Sequence, residues 1–377
     1  MRINDLGGVS MSENSNFAGL SKGELQSLAD DGYVGPYPKV VCQDQVSSIA
    51  SKLLGHVRNK GDRHPLYGRY SARDWHLVYP ELLDFVAAPA VLNQLKSIMG
   101  EDLILWRSHV FYKPPRTGPV GWHQEFGAFS GEDIGNNKPS LVPTHLPHID
   151  EDTLKGYLPS ATRLTSPERA PDLSDFWDIT VWVALTDIEE DMGVLKFLPG
   201  SHRQRYPVRL DPLPESDFWQ DPFVRVHSKD QLVKACNDSQ LVLDVDTSRV
   251  LDGLPVESLS YEELKEVVLS KLAEMRGSRT ILTEIDEAGM VTFPAAKGDY
   301  FIFSERVLHG SLANTSDCER LAINFRVTLS STLVYPFRTR GDFVDGFNLN
   351  VSQHGNVLLS GRNLNPLNVT RPLSTKP

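Results

Sequence analysis

Cysteine is scarce in this chain: Cys42, Cys236 and Cys318 stand far apart and are odd in number. That excludes a disulfide framework on pattern and fits reduced thiols, and with no CxxC or Cys/His cluster nothing suggests zinc. Positive charge is also in deficit. With 38 Lys+Arg against 49 Asp+Glu the formal net charge is −11, so no nucleic acid and no anionic membrane surface is expected as a partner. No apolar run approaches the ~18 residues of a membrane-crossing helix. The opening "MRINDLGGVSMSENSN" has no apolar stretch after its arginine, unlike a secretory signal. What remains is a cytoplasmic protein that acts on a small molecule.

What is present reads as many short elements joined by turns, since glycine (27) and proline (25) are plentiful. Residues 1–17 read as a flexible leader. Ser21 and Glu24 form a capping-box pattern ahead of a helix that ends near Gly32. "ELLDFVAAPAVLNQLKSIMG" (81–100) predicts two helices broken at Pro89. "DLILWRSHVFYK" (102–113) then predicts a strand. Residues 127–175 are too long and too aperiodic for a plain connection and read as a lid or cover. "DITVWVALTDI" (178–188) and "GVLKFLPGSHRQ" (193–204), separated by "EEDM", carry a hairpin pattern. A helical insertion spans about 205–290, with a capped helix at about 261–276, and strands resume at 290–316 and 320–336. Strands before and after the insertion must pair with each other, which favours one domain over 18–340. The tail, 341–377, is polar and weakly patterned and is expected to pack on or near the core.

The stretch "VGWHQEFGAFSG" (120–131) places His123 and Glu125 two residues apart. On an extended segment such residues share a face, so they are either half of a metal site or two solvated polar groups. His309, in "GDYFIFSERVLHGSLANTS", ends a core strand with small residues after it, as a third ligand or as a satisfied core histidine would. Arg320 and Arg326 lie six apart on "RLAINFRVT" and therefore on one face. Two arginines facing inward need anionic partners. A bound carboxylate and an internal salt bridge both satisfy that demand.

The blocks "FYKPPRTGPVGWHQEF", "DITVWVALTDIEEDMGVLKFLPGSH" and "KGDYFIFSERVLHGSLANTSDCERLAINFRVT" resemble the core of the phytanoyl-CoA dioxygenase family of iron(II)- and 2-oxoglutarate-dependent oxygenases. The resemblance covers about Leu20 to Pro336. It implies a mainly β fold, a double-stranded β-helix or jelly roll of cupin type, with flanking helices. It also implies Fe(II), 2-oxoglutarate and O2 as cofactor and cosubstrates. His123, Glu125 and His309 fall on the iron ligands, and Arg320 on the arginine that pairs with the far carboxylate of 2-oxoglutarate. Ser311 and Trp182 match positions lining the cosubstrate pocket, as does His109, and Arg326 lies along the same strand.

"WHQ" and the Arg320/Arg326 pair also resemble the branch that contains non-haem iron halogenases, which act on amino acids, free or tethered to carrier proteins. Most hydroxylases of the family have aspartate two residues after the first histidine, and the halogenases have alanine or glycine. This chain has Glu125, which can still ligate iron. The resemblance therefore implies hydroxylation of an amino-acid-like or natural-product substrate. Halogenation, desaturation and cyclisation are the alternatives with the same cofactor, and a non-catalytic jelly-roll binding protein is the alternative of another class. His145, His148 and His202 read as loop or turn histidines, and Arg203, Arg205 and Arg209 as a solvated face.

Overall fold

The computed structural model describes residues 19–373 apart from 59–62, 69, 126–139, 143–175, 205, 207, 213–222, 224–225, 238–249, 276, 282, 305 and 346–348. The leader, nearly all of the expected lid, His145, His148 and Arg205 lie outside the described residues.

Two strands organise the molecule. β2 (Leu103–Lys113) and β12 (Arg320–Leu329) run antiparallel over their whole length. On β12 the odd-numbered Leu321, Ile323, Phe325 and Val327 are buried in the core under the helices. Its even-numbered residues Arg320, Ala322, Asn324 and Arg326 face the other way, as a pleated strand dictates. Both faces are covered, so every residue but the last is buried.

The seven-stranded sheet has the order β1 (Tyr33–Tyr37), β10 (Tyr300–Ser304), β5 (Asp178–Ala184), β12, β2, β14 (Asn356–Ser360), β15 (Thr370–Pro372). One face packs on α1 (Lys22–Asp31), α2 (Gln43–Arg58), α3 (Leu83–Ala87) and α4 (Pro89–Met99), through Leu28, Val46, Leu53, Phe85 and Leu95 among others. The expected capping box of α1 is present, with Ser21 and Glu24 bonded reciprocally. The break at Pro89 separates α3 from α4.

The other face looks onto a four-stranded sheet of order β3 (Val120–His123), β11 (Leu308–Ser311), β6 (Leu195–Leu198), β9 (Val291–Phe293). Trp182, Ala184, Phe197, Phe301 and Phe303 fill the space between. Two facing sheets closed over an apolar interior make the jelly roll, mainly β with flanking helices, that the sequence leads one to expect.

One expectation fails. The 178–188 and 193–204 segments do not form a hairpin, because β5 belongs to the large sheet and β6 to the small one. β5 already pairs on both edges, with β10 and β12, so it has no edge left for β6. The chain crosses between sheets at Leu185–Met192, where bridges from Ile188 to Ala295 and from Met192 to Asn314 hold the turn.

The 205–290 insertion is bracketed by a two-stranded ribbon, β7 (Val208–Pro212) with β8 (Gly277–Ile281). Within it α5 (Lys229–Asn237) and α6 (Tyr261–Met275) share their own small core, which includes Phe223, Leu232, Cys236, Leu264 and Val268. β8 runs beside β3, so the insertion borders the mouth of the small sheet. No helix among the described residues is long and apolar enough to cross a membrane. None of Cys42, Cys236 and Cys318 forms a disulfide among the described residues.

Candidate active site

His123 and His309 meet because they are direct cross-strand partners in the β3–β11 pair, the closest relation two residues on adjacent strands can have. Their ring centroids are 4.2 Å apart. Gly310 permits the approach: a Cβ there would lie 2.5 Å from the Val120 carbonyl oxygen and 2.9 Å from that of Gly121. Each imidazole is oriented by its own strand. His123 Nδ1 lies 2.9 Å from the Gly121 carbonyl, and His309 Nδ1 lies 2.8 Å from that of Val307. A carbonyl only accepts, so each Nδ1 carries the hydrogen and each Nε2 carries the lone pair, the tautomer suited to a metal ligand.

Glu125 completes the group. One ligand atom from each of His123, Glu125 and His309 lies within 4.8 Å of the others. Between His123, the last residue of β3, and Glu125, Gln124 points the opposite way and is buried. Its Nε2 lies within 3.2 Å of the carbonyls of Ser201, Gln204 and Arg306, and its Oε1 accepts from the Tyr206 N–H at 3.0 Å. Gln124 thus pins the end of β3 so that His123 and Glu125 emerge on one side. Phe197 and Phe303 pack against His309, with ring centroids 6.4 and 5.2 Å from it, and dry its inner side.

Arg320 lies at the neighbouring end of the interior, opposite Lys113 in the β12–β2 register. Arg320 is buried; its Nη1 donates to the Gly193 carbonyl at 2.5 Å and its Nε has no partner. Trp182 lies under its guanidinium at 5.9 Å. Burial depresses the Arg320 pKa to about 10. Lys113 Nζ donates to Ser311 Oγ at 2.9 Å and to the Leu312 carbonyl. Burial, reinforced by Arg320 and Lys196, lowers its pKa to about 7. Among the described residues no carboxylate forms an ion pair with either group. Two buried cations side by side without an anion form a receptor for one. Gly193 shapes this pocket too, since at φ +76° a Cβ would meet Lys113 Cδ and the Leu312 carbonyl at 2.8 Å.

Trp182, Ser311 and Arg320 are thus brought together as expected, and Lys113 joins them unannounced. Its only sequence signal is its place at the end of a strand that pairs with the arginine strand. His109 is on the inward face of β2, opposite Asn324, and stacks on Phe111 at 4.6 Å. Arg326 has a different partner from Arg320: its Nη2 is ion-paired with Glu125 Oε2. His202 sits in a buried turn with Nε2 3.2 Å from the Ala29 carbonyl, away from the triad. Arg203 is an exposed partner of Asp30, and the side chain of Arg209 lies outside the described set.

With this geometry in view, comparison with known proteins is decisive about kinship. The sequence profile described as phytanoyl-CoA dioxygenase matches residues 30–322. The chain belongs to the phytanoyl-CoA dioxygenase family. Within and around that family it is 23% identical over 128 residues to a probable alpha-ketoglutarate-dependent hypophosphite dioxygenase of Stutzerimonas stutzeri, covering 34% of this chain and 30% of that protein. It is 22% identical over 160 residues to Dioxygenase lolE1 of Epichloe uncinata, covering 42% and 45%. The chain thus aligns with less than half the length of these curated relatives. Its fold resembles that of CytC3, with a TM-score of 0.55 at 19% identity and 95% of each chain covered. It also resembles the non-heme monooxygenase ThoJ, with a TM-score of 0.51 at 15% identity, covering 92% of this chain and 86% of that one. CytC3 has also been solved with Fe(II) and alpha-ketoglutarate.

Proposed function

We propose that this family member is an Fe(II)- and 2-oxoglutarate-dependent dioxygenase that hydroxylates a C–H bond of an amino acid or related natural-product intermediate. The observation that carries the reading is the convergence of His123, Glu125 and His309 beside Arg320 and Lys113, buried cations that no carboxylate among the described residues pairs with. The donor set fits the metal: two imidazoles in the Nδ1–H form and one carboxylate are the ligands of a ferrous site with open positions. Iron bound there would couple the oxidative decarboxylation of 2-oxoglutarate to succinate, using O2, with oxidation of the substrate.

The protein's own part is binding and orientation. The Gly121 and Val307 carbonyls hold the two imidazoles by their Nδ1–H groups. Arg320 and Lys113, with Ser311 and Trp182, would take the far carboxylate of 2-oxoglutarate in a charge-assisted contact. Phe197 and Phe303 keep water from the inner side of His309. A carboxylate at Glu125, where the halogenase-like branch has none, favours hydroxylation over halogenation. The resemblance to that branch is what supports an amino-acid-like substrate, free or carrier-tethered. We read 18–340 as one oxygenase unit, since β5 and β6, before the insertion, pair with β10, β12, β9 and β11 after it.

The test is iron-dependent conversion of 2-oxoglutarate to succinate, followed by product mass spectrometry on a panel of free and carrier-linked amino acids, with and without chloride. Succinate formation with a product heavier by one oxygen is expected. Binding without any succinate would favour the non-catalytic alternative, and a chlorinated product would replace hydroxylation with halogenation.

A further inference from the structure

Glu125 faces two demands at once. Its Oε2 is ion-paired with Arg326 Nη2, in a pair whose side chains are only 18% and 10% exposed, and the same carboxylate is part of the His123–His309 group. Arg326 has little freedom to release it. It is held on β12 opposite Arg107, with its guanidinium 6.0 Å over the Trp106 ring. Removing the anion from such a cation is costly, so the pair is built to persist when a cation also binds Glu125. A carboxylate has two oxygens, and here one is committed.

Resting on the metal reading above, we infer that Arg326 is a positioning residue that caps one oxygen of Glu125, restricts it to a single metal bond, and so keeps coordination positions open for the cosubstrate. Glutamate, one methylene longer than aspartate, supplies the reach to serve the guanidinium and the metal together. This assigns Arg326 a role distinct from that of Arg320, although the two share a strand face.

The test uses Mn(II), which is redox-inert, with calorimetry on the full chain. Arg326→Met should bind Mn(II) more tightly, by about tenfold, opposite in sign to the loss that removing an outer partner of a metal ligand usually brings, because the second oxygen is released and a nearby positive charge is gone. The Mn(II) form of the same variant should bind 2-oxoglutarate about tenfold more weakly. A merely structural role would weaken both. Arg326→Lys should retain values near wild type, and Glu125→Gln combined with Arg326→Met should lose most of the gain in Mn(II) affinity. If Arg326→Met does not fold, Arg326→Gln, which keeps a donor and loses the charge, should show the same opposed changes. Parallel losses, or no change in either affinity, would overturn the inference. Failure of the wild type to bind Mn(II), or unchanged binding in His123→Ala, would instead remove the metal site itself.

Discussion

His123 and His309 are cross-strand partners whose rings are set by backbone carbonyls. Replacing either by alanine should abolish iron-dependent 2-oxoglutarate consumption while leaving the melting temperature within a few degrees of wild type; near-normal turnover would show the triad to be wrongly assigned. Arg320 is buried, and no carboxylate among the described residues pairs with it. Arg320→Ala should raise the KM for 2-oxoglutarate about 30-fold or more, since a buried charge-assisted contact is worth about 2–5 kcal/mol. Lys113 adds a pH dependence. Its pKa is depressed to about 7, so it is cationic below that pH and neutral above it. 2-Oxoglutarate should therefore bind best below about pH 7 and take up a proton when it binds above it. Calorimetry in two buffers of different ionisation enthalpy should detect that proton in the wild type and miss it in Lys113→Met.

At the scale of elements, the site depends on how closely β3 and β11 approach and on where β3 stops. Gly310→Ala puts a methyl group 2.5 Å from the Val120 carbonyl oxygen, so the two strands must separate and carry His123 away from His309. A loss of about 1–3 kcal/mol is expected, the usual size for overpacking, together with weaker metal binding. Denaturant unfolding and metal titration would check the two effects independently. Gln124 stops β3 by bonding the backbone of two other segments, at 201–206 and at Arg306. The crossover from β5 to β6 belongs to this scale too. The acidic turn is visible in "EEDM", yet a turn pattern states only that the chain reverses, and β5 was already paired on both edges.

Across the whole molecule, the tail reaches back into the interior. β14 covers the edge of β2, and Asp345 accepts from Arg107 Nη2 at 2.7 Å in a fully buried pair. Asp74, at φ 59°, lies near the same guanidinium, 3.7 Å from its Nε. Burial alone would raise the Asp74 carboxyl, but Arg107 and His354 outweigh it and hold its pKa well below the usual range. Such an acid supports stability above its unfolded-state pKa, and that support fades as pH falls toward the depressed folded value. Asp345→Ala removes from Arg107 the nearer of its two acids among the described residues. It should cost about 3–5 kcal/mol, the usual result of breaking a buried pair, seen as a lower denaturation midpoint. An unchanged midpoint would mean that Asp74 alone suffices.

The sequence by itself determined the things that depend on neighbours along the chain. The capping box at Ser21, the break at Pro89, the strand pattern of 102–113 and the shared face of Arg320 and Arg326 all follow from local periodicity and backbone chemistry, and the structure repeats them. The choice of His123, Glu125 and His309 was legible as three residue types in a family-like order. Only the tertiary structure decided what register and distant chain supply. It put His123 opposite His309 and Lys113 beside Arg320. It gave Glu125 to Arg326, and it sent β6 to the second sheet. Asp345 came from a tail whose polar composition gave no sign of a buried ion pair. Each of these is a contact between residues far apart in the chain, and no pattern within a single segment specifies which distant strand will lie beside it.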